Sequence, residues 1–357
     1  MSYKALDPQD FLVSADTVTA PCWTNYVSPL IAMYTSSTQI AGTSGNYYLN
    51  VYNLDPSTNS STTELQFNIT YGNKQGSGSL LYNAGISGLS PTRTIYGQWR
   101  NMIYGDENTN FSFSTVTPFQ QDFYAITIDI ARFKESLFPG SLNLTLYSAS
   151  SQINLTDNSL DTTTITYSDA GRVFQIVSGS NGAAITTTNS ALGAVSAGMT
   201  LSGSYGLFLP DVGTIILNAA ALDLPYASGG ISLNTLRTSN TNVYNPIRLY
   251  STASGRIGMT TGSFTSSFAL NSQETITSDF VFCRARNAEF NYTENPSFIS
   301  GSTGTVLYDL FINSPTTYIT TVGMYNDSNE LLAVAKLSKP LKKDFTKEAL
   351  IRVKLDF

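Results

Sequence analysis

The sequence contains no histidine, few charged residues and two cysteines. Histidine is the side chain that titrates near neutral pH without perturbation, and it is the commonest metal ligand. Its absence excludes Ser-His-Asp and Cys-His catalysis and every zinc site that uses histidine. Enzymes can work without histidine, so its absence disfavours a catalytic function without excluding one.

Charged residues make up 12% of the 357 residues, and Ser, Thr and Asn supply the polarity instead. A surface with few long charged side chains suits wide, permanent protein contacts, although an ordinary acidic β-protein would share this composition. The net charge of −6 is uneven, because residues 1–313 carry −8 and residues 314–357 carry +2. No basic stretch interleaved with aromatic residues occurs in the body, so we expect no nucleic-acid binding.

Cysteine usage and apolar runs indicate the compartment. Cys22 and Cys283 lie far apart without a CxxC motif, so we expect free thiols. The first residues lack the apolar core of a signal peptide, and no run approaches the roughly 18 apolar residues of a membrane helix. These features predict a protein made in a cytosol, without a membrane partner.

Alternation of apolar and polar residues is the dominant pattern, and it predicts strands with one buried face. The alternating segments are Leu65–Tyr71, Ile126–Ile130, Leu142–Leu146 and Ile351–Phe357. Further predicted strands are Tyr47–Tyr52, Val173–Val177, Thr214–Leu217, Phe280–Ala285, Val306–Ile312, Tyr318–Tyr325 and Leu331–Leu337. Clusters of Gly, Ser, Asn and Pro between them indicate turns. The fold class is therefore predicted as mainly β, an antiparallel sandwich or barrel-like body with a small C-terminal β-module and a few short helices.

Helical patterns are few. The best candidate is residues 90–104, where Ser90 could cap the helix, Pro91 suits its first turn, and one face carries apolar residues. Those apolar residues are Ile95, Trp99, Met102 and Ile103. Single turns are expected at 131–137 and 218–222.

The domain organisation is predicted from changes in composition. Gly, Ser and Thr residues near 255–271 precede a segment richer in charge, which gives a body at 1–270 and a C-terminal module at 271–357. The long polar and small-residue stretches near 150–205 leave a subdivision of the body open. There, residues 178–204 form a long stretch of small residues, which is either a contact to a neighbouring subunit or a surface excursion.

No motif for catalysis, cofactor binding or metal binding is present. Asp106 and Glu107 are adjacent carboxylates in a turn-like segment, and this placement favours a solvated loop over a weak metal site. A glycosidase needs two carboxylates ~5–10 Å apart across a cleft, and no pattern predicts such a pair. Nucleotide loops, the Gly-x-Ser-x-Gly motif and calcium loops are absent. The 21 Tyr and 19 Phe residues fit strand packing or subunit contacts better than a sugar-binding surface.

The C-terminal segment is predicted to be a hairpin. Tyr318–Tyr325 and Leu331–Leu337 form its strands, residues 326–329 form its turn, and Pro340 ends the second strand before a basic loop. The expected core of this module is Tyr318, Val322, Met324, Leu332, Val334 and Leu337. The candidate interface residues are Lys339, Lys342 and Lys343, which would meet the acidic body of a neighbour or else remain in a solvated loop.

The run Ile-Thr-Thr-Val-Gly-Met-Tyr-Asn at 319–326, followed by Leu-Leu-Ala-Val-Ala at 331–335, resembles a docking module of contractile-tailed phages. This module occurs in tail-fibre, collar and baseplate proteins. Residues 34–39, 45–52, 137–146 and 169–177 are similar to structural proteins of large marine and cyanobacterial myophages. The resemblance implies a structural virion protein of the tail, baseplate or fibre-attachment site. Its partners would be other virion proteins and copies of itself, and its location the virion.

Three alternatives stay open. A receptor- or sugar-binding fibre protein would share the Tyr-rich β character, but fibres usually attach by their N-terminus, whereas the docking-like segment here is C-terminal. A capsid or neck decoration protein would differ in location alone. A polysaccharide-degrading enzyme would need the carboxylate pair that the sequence does not predict.

Overall fold

The computed structural model describes residues 4–30, 32–35, 48–77, 91–113, 120–148, 151–185, 198–238, 241–253, 267–293 and 296–356. Strands account for 45% of the protein and helices for 17%. This confirms the predicted fold class, which is mainly β with antiparallel sheets and a few short helices.

Nineteen strands and four α-helices are described. The strands are β1 Phe11–Pro21, β2 Pro29–Leu30, β3 Tyr34–Thr35, β4 Tyr48–Tyr52, β5 Leu65–Asn73, β6 Asp122–Ile128, β7 Ser136–Leu137, β8 Asn143–Ser148, β9 Ser151–Asp157, β10 Thr166–Ser168, β11 Gly171–Ser180, β12 Ala183–Ala184, β13 Gly206–Leu209, β14 Thr214–Asn218, β15 Phe268–Ala269, β16 Asn271–Ala285, β17 Thr316–Tyr325, β18 Leu331–Asp344 and β19 Ala349–Asp356. The helices are α1 Thr92–Tyr104, α2 Ala219–Asp223, α3 Asn245–Ala253 and α4 Asp309–Asn313.

The chain divides into two compact units. The large unit is Val18–Glu274, and the C-terminal unit combines Met1–Thr17 with Thr275–Phe357. The boundary expected after residue 270 lies close to the one at Thr275, but the composition did not indicate that residues 1–17 belong with the C-terminal segment.

The large unit is built on one curled sheet of thirteen strands. Its strand order is β2-β15-β8-β9-β11-β13-β14-β6-β5-β4-β3, with β10 and β12 also paired to β11. The two outermost strands follow each other in the chain, because β2 ends at Leu30 and β3 begins at Tyr34. Four residues span at most about 14 Å, so the curl brings the two ends of the sheet close together.

The central strands of this sheet are buried on both faces. On the inner face of β6, Tyr124, Ile126 and Ile128 join the main core, together with inner-face residues of β5 and β14. On the outer face, Phe123 and Ala125 join a second core that α1 covers. α1 contributes Tyr96, Trp99 and Ile103 to this second core. The predicted helix is therefore present, but Met102 is exposed at 38% instead of facing the core.

An aromatic cluster lies at one end of the sheet, where β15 pairs with β2 and β8. The rings of Trp23 and Phe268 meet edge to face at 4.8 Å, and Phe67 lies 5.3 Å from Phe268. The Trp23 indole Nε1–H donates to the Phe268 carbonyl oxygen at 2.7 Å. The cluster joins the first strands of the large unit to one of its last.

Three local predictions need correction. Residues 306–312 were predicted as a strand, but α4 occupies Asp309–Asn313. The turn of helix expected at 131–137 ends early, because a 3₁₀ turn covers Ile130–Arg132 and Ser136–Leu137 form β7. In the stretch 178–204, β11 continues to Ser180 and β12 follows at Ala183–Ala184, while residues 186–197 lie outside the described residues.

The helical turn expected at 218–222 is α2, and Asn218 is its N-cap. This fully buried side chain accepts from the Ala220 and Ala221 amides and donates to the Ser202 and Ser204 carbonyl oxygens. Asn218→Ala should lower the free energy of unfolding by about 2–4 kcal/mol, since buried partners lose their hydrogen bonds. Urea unfolding followed by circular dichroism measures the change.

The matched control is Asn108→Ala, because Asn108 lies in an exposed turn. Its effect should stay within about 0.5 kcal/mol, as for surface positions generally. Equal effects of the two substitutions would contradict the buried role of Asn218.

Candidate functional site

The C-terminal unit buries few of its apolar side chains. Of the fifty buried hydrophobic residues in the described part of the chain, four belong to this unit: Val281, Ala285, Ala349 and Val353. The same unit holds sixteen of the thirty large hydrophobic residues that are exposed. A unit with so small a core is weakly stabilised by itself, and contiguous exposed apolar surface marks interaction sites.

Three strands form the framework of this unit, in the order β1-β16-β19. β19 alternates cleanly, with Ala349 and Val353 buried and Leu350 exposed. On the exposed face, the guanidinium of Arg352 lies 5.4 Å from the centre of the Phe280 ring, and the Lys354 ammonium lies 5.9 Å from it. The predicted strand at 351–357 is thus present and runs from Ala349 to Asp356.

β17 and β18 form a separate two-stranded sheet, which contains the predicted hairpin. Its turn is closed by the Asn326 amide, which donates to the Glu330 carbonyl oxygen, and by Asn329 with φ +62. The prediction that Pro340 ends the second strand is wrong, since β18 continues to Asp344. Pro340 is tolerated because residues 337–340 have no register partner on β17.

The pairing register shifts between Ile319 and Thr321, and this shift changes which side chains face inward. Inward positions on β17 are Thr317 and Ile319 before the shift and Val322 and Met324 after it. The step of three residues from Ile319 to Val322 reverses the alternation of β17 where the pairing is irregular, with Thr320 opposite the four unpaired residues 337–340 of β18.

The expected core of the hairpin is therefore partly wrong. Val322, Met324 and Leu337 lie on the half-buried face, whereas Tyr318, Leu332 and Val334 are exposed. Leu332 and Val334 lie an odd number of positions from Leu337, so the alternation of a strand puts them on the opposite face. Tyr318 is turned outward by the register shift.

The three candidate lysines have different environments. Lys339 and Lys342 are exposed, and the Lys342 ammonium lies 3.8 Å from the Asp344 carboxylate. Lys343 is fully buried, which corrects its assignment as an interface residue. Its ammonium donates to the carbonyl oxygens of Asn287 and Asp344 at 3.0 and 2.9 Å, and to the Asn291 side-chain oxygen at 2.8 Å. Lys343 lies two positions after the inward-facing Leu341, so strand alternation places its side chain on the buried face. The sequence pattern already contained this spacing.

A groove of about 280 Å³ lies between β18 and β19, and it was not foreseen from the sequence. It is lined by residues 335–339 of β18, residues 351–353 of β19 and Val322. Three of these residues are cationic: Lys336, Lys339 and Arg352. Among the described residues that line the groove there is no carboxylate.

A buried charged network in the large unit is the other concentration of titratable groups. The Asp122 carboxylate accepts from the Tyr71 hydroxyl at 2.8 Å and lies 3.0 Å from the Arg237 guanidinium. Arg237 also pairs with Asp223 at 2.7 Å, and Asp223 accepts from the Thr235 amide and hydroxyl. Burial raises the pKa of Asp122, and the positive charge of Arg237 opposes that shift. The network fixes the 231–238 segment to the ends of β5 and β6.

The carboxylates considered from the sequence lie elsewhere. Asp106 accepts from the Asn108 amide at 3.0 Å and from the Thr109 amide at 2.8 Å, which makes it the organiser of its own turn. The hydrogen bonds from Thr109 and Asn108 lower the pKa of Asp106. Glu107 is exposed in the same turn.

Within the described ranges, no three Cys, Asp or Glu side chains lie close enough together to hold a metal ion. None of the helices in those ranges combines the length and the hydropathy of a membrane span.

With the fold and the surface of the C-terminal unit established, the chain was compared with known proteins. No protein-family model, no curated protein and no solved structure matches it.

Proposed function

We propose that this chain is a structural subunit of a tailed-phage virion, located in the tail or baseplate, and that it acts by assembling with other subunits through its C-terminal unit. The observation that carries the proposal is the exposure of apolar side chains on that unit. Apolar residues at alternate strand positions, a pattern typical of a buried face, are exposed on this unit. Leu332 is 68% exposed and Val334 is 58% exposed.

Exposed apolar strands are a liability for a monomer. They present both side chains and unpaired backbone groups to other chains, and natural proteins usually protect such edges with charge or cover. A two-stranded hairpin is also marginally stable in water without further packing. A neighbouring subunit would supply both the missing cover and the missing packing. The resemblance of residues 319–335 to tail docking modules supports a location in the tail or baseplate of a phage particle.

The test has two arms. Mass spectrometry of purified particles of the encoding phage should detect the protein at a stoichiometry typical of a structural component. In the second arm, Leu332→Ser with Val334→Ser should weaken association of the full chain by at least tenfold in sedimentation experiments, since central apolar contacts dominate most interfaces.

The matched control for the second arm is Leu160→Ser with Ile165→Ser, two exposed apolar residues of the large unit. This control should associate as the unmodified chain does. Absence of the protein from purified particles would refute the virion assignment.

A further inference from the structure

The groove between β18 and β19 is bordered by strand edges. Successive side chains of a strand point to opposite faces, so a cavity against one face would be lined by alternate residues. Here five consecutive residues, 335–339, and three consecutive residues, 351–353, line the cavity. The backbone edges of both strands therefore face the groove.

These edges have no strand partner within the described ranges. β18 pairs with β17 alone, and β19 pairs with β16 alone. Such an edge is a template for an added strand, whose affinity comes from main-chain hydrogen bonds and whose specificity comes from side-chain pockets.

The positive charges that line the groove favour a bound segment that carries carboxylates. Lys336, Lys339 and Arg352 form no ion pair with any of the described residues, in contrast to Lys342 and Lys354, which have carboxylate neighbours. The remaining lining is largely apolar and includes Leu337, Ile351 and Val353. A complementary segment is extended and carries both carboxylates and apolar side chains.

One strand of this same chain has those properties. β1 pairs with β16 on one side, and its other edge is unpaired in the described part of the chain. It opens with Phe11, Leu12 and Val13, which are exposed on both of its faces, and Asp10 and Asp16 flank this run. β1 and β19 are thus the outer strands of the β1-β16-β19 path of a four-stranded sheet, in which β7 also pairs with β16, and they carry opposite net charge.

We propose that the groove binds β1 of a second copy of this chain, so that the β1-β16-β19 sheets of successive copies join edge to edge. This inference rests on the proposed assembly function and names the partner of the C-terminal unit. Asp10 and Asp16 approach the cations of the groove, and the apolar run of β1 covers its apolar lining. Because β1 and the groove are different surfaces, the contact is head-to-tail, which generates rings or filaments.

Charge reversal tests the pairing directly. One variant carries Lys336→Glu with Lys339→Glu, and a second carries Asp10→Lys with Asp16→Lys. Each variant alone should associate at least tenfold more weakly than the unmodified chain in sedimentation velocity at low salt, since like charges then meet. An equimolar mixture of the two should regain association, because each reversed surface meets its complement.

The matched control is Arg93→Glu with Lys347→Glu, two exposed residues outside the groove lining, which changes the charge equally and should leave association unchanged. Asp16→Lys alone serves if the Asp10 substitution perturbs folding, and circular dichroism verifies the fold of every variant. Raised ionic strength should weaken the unmodified contact, because exposed charges are screened.

Three results would overturn the inference: an unmodified chain that remains monomeric at 100 µM or so, association insensitive to both reversals, or a mixture that stays dissociated. The virion assignment fails separately, by absence of the protein from particles. A protein present in particles but insensitive to the reversals would leave the assembly function standing and remove the groove as its site.

Discussion

Replacement of Lys343 by methionine is expected to destabilise the C-terminal unit strongly, although a lysine among several lysines looks like a surface residue. The buried ammonium satisfies three acceptors, the carbonyl oxygens of Asn287 and Asp344 and the side-chain oxygen of Asn291. Lys343→Met leaves all three without that donor but also relieves the desolvation of a buried charge. Hydrogen bonds from charged groups contribute ~1.5–3 kcal/mol each. Their loss should therefore exceed the gain from removing a buried charge, and the free energy of unfolding should fall by about 2–4 kcal/mol.

Hydrogen–deuterium exchange of the full chain measures this effect locally. Protection should fall at residues 286–291 and along β17, which Lys343 faces at Thr317. Lys342→Met is the control, since it makes the same substitution one position away on the exposed face and should change stability by less than about 0.5 kcal/mol. Equal effects at the two positions would mean that Lys343 is a surface residue after all.

Truncation of the aromatic cluster should have the largest effect on the large unit. Phe268→Ala removes the ring that contacts both Trp23 and Phe67, at 4.8 and 5.3 Å. Truncation of a buried Phe costs ~3–5 kcal/mol, because the transfer term and the cavity term add. The lost edge-to-face contacts place Phe268 toward the upper end of this range.

Urea unfolding followed by tryptophan fluorescence measures the loss. Phe268→Leu, which keeps most of the volume, should cost roughly 1–1.5 kcal/mol. A double-mutant cycle with Phe67→Ala should show coupling of about 0.5 kcal/mol or more between the two rings, since they are in contact. A cost of Phe268→Ala below that of Phe268→Leu would place β15 outside the core.

Alternation in the sequence predicted much of the fold, because one buried face constrains every second residue of a strand. β5, β8, β19 and the hairpin strands lie where the pattern indicated, whereas β6 ends at Ile128 and the predicted strand residue Ile130 lies in a 3₁₀ turn. The pattern fails where the backbone departs from regularity. The register shift between Ile319 and Thr321 places Tyr318 on the exposed face, and no feature of the sequence signals that irregular pairing.

The candidate site was less predictable than the fold. The sequence indicated that lysines near the C-terminus form part of the site. It named Lys343, which is buried, and missed Lys336 and Arg352, which line the groove. Which face or edge of a strand a residue occupies depends on strand pairing, and strand pairing is a long-range property. The same reason hid the placement of residues 1–17 with the C-terminal segment. Composition describes a local stretch of chain, whereas these assignments depend on which strands meet.

The aromatic cluster also sets an order of events during translation. Trp23 and Phe268 lie 245 residues apart, and β2 finds its partner β15 across a similar separation. At a synthesis rate of ~5–20 residues per second, the first strands of the sheet wait on the order of tens of seconds for their partner to be made. Until β15 is made, β2 of a nascent chain lacks its partner strand, and its open edge can pair with other chains.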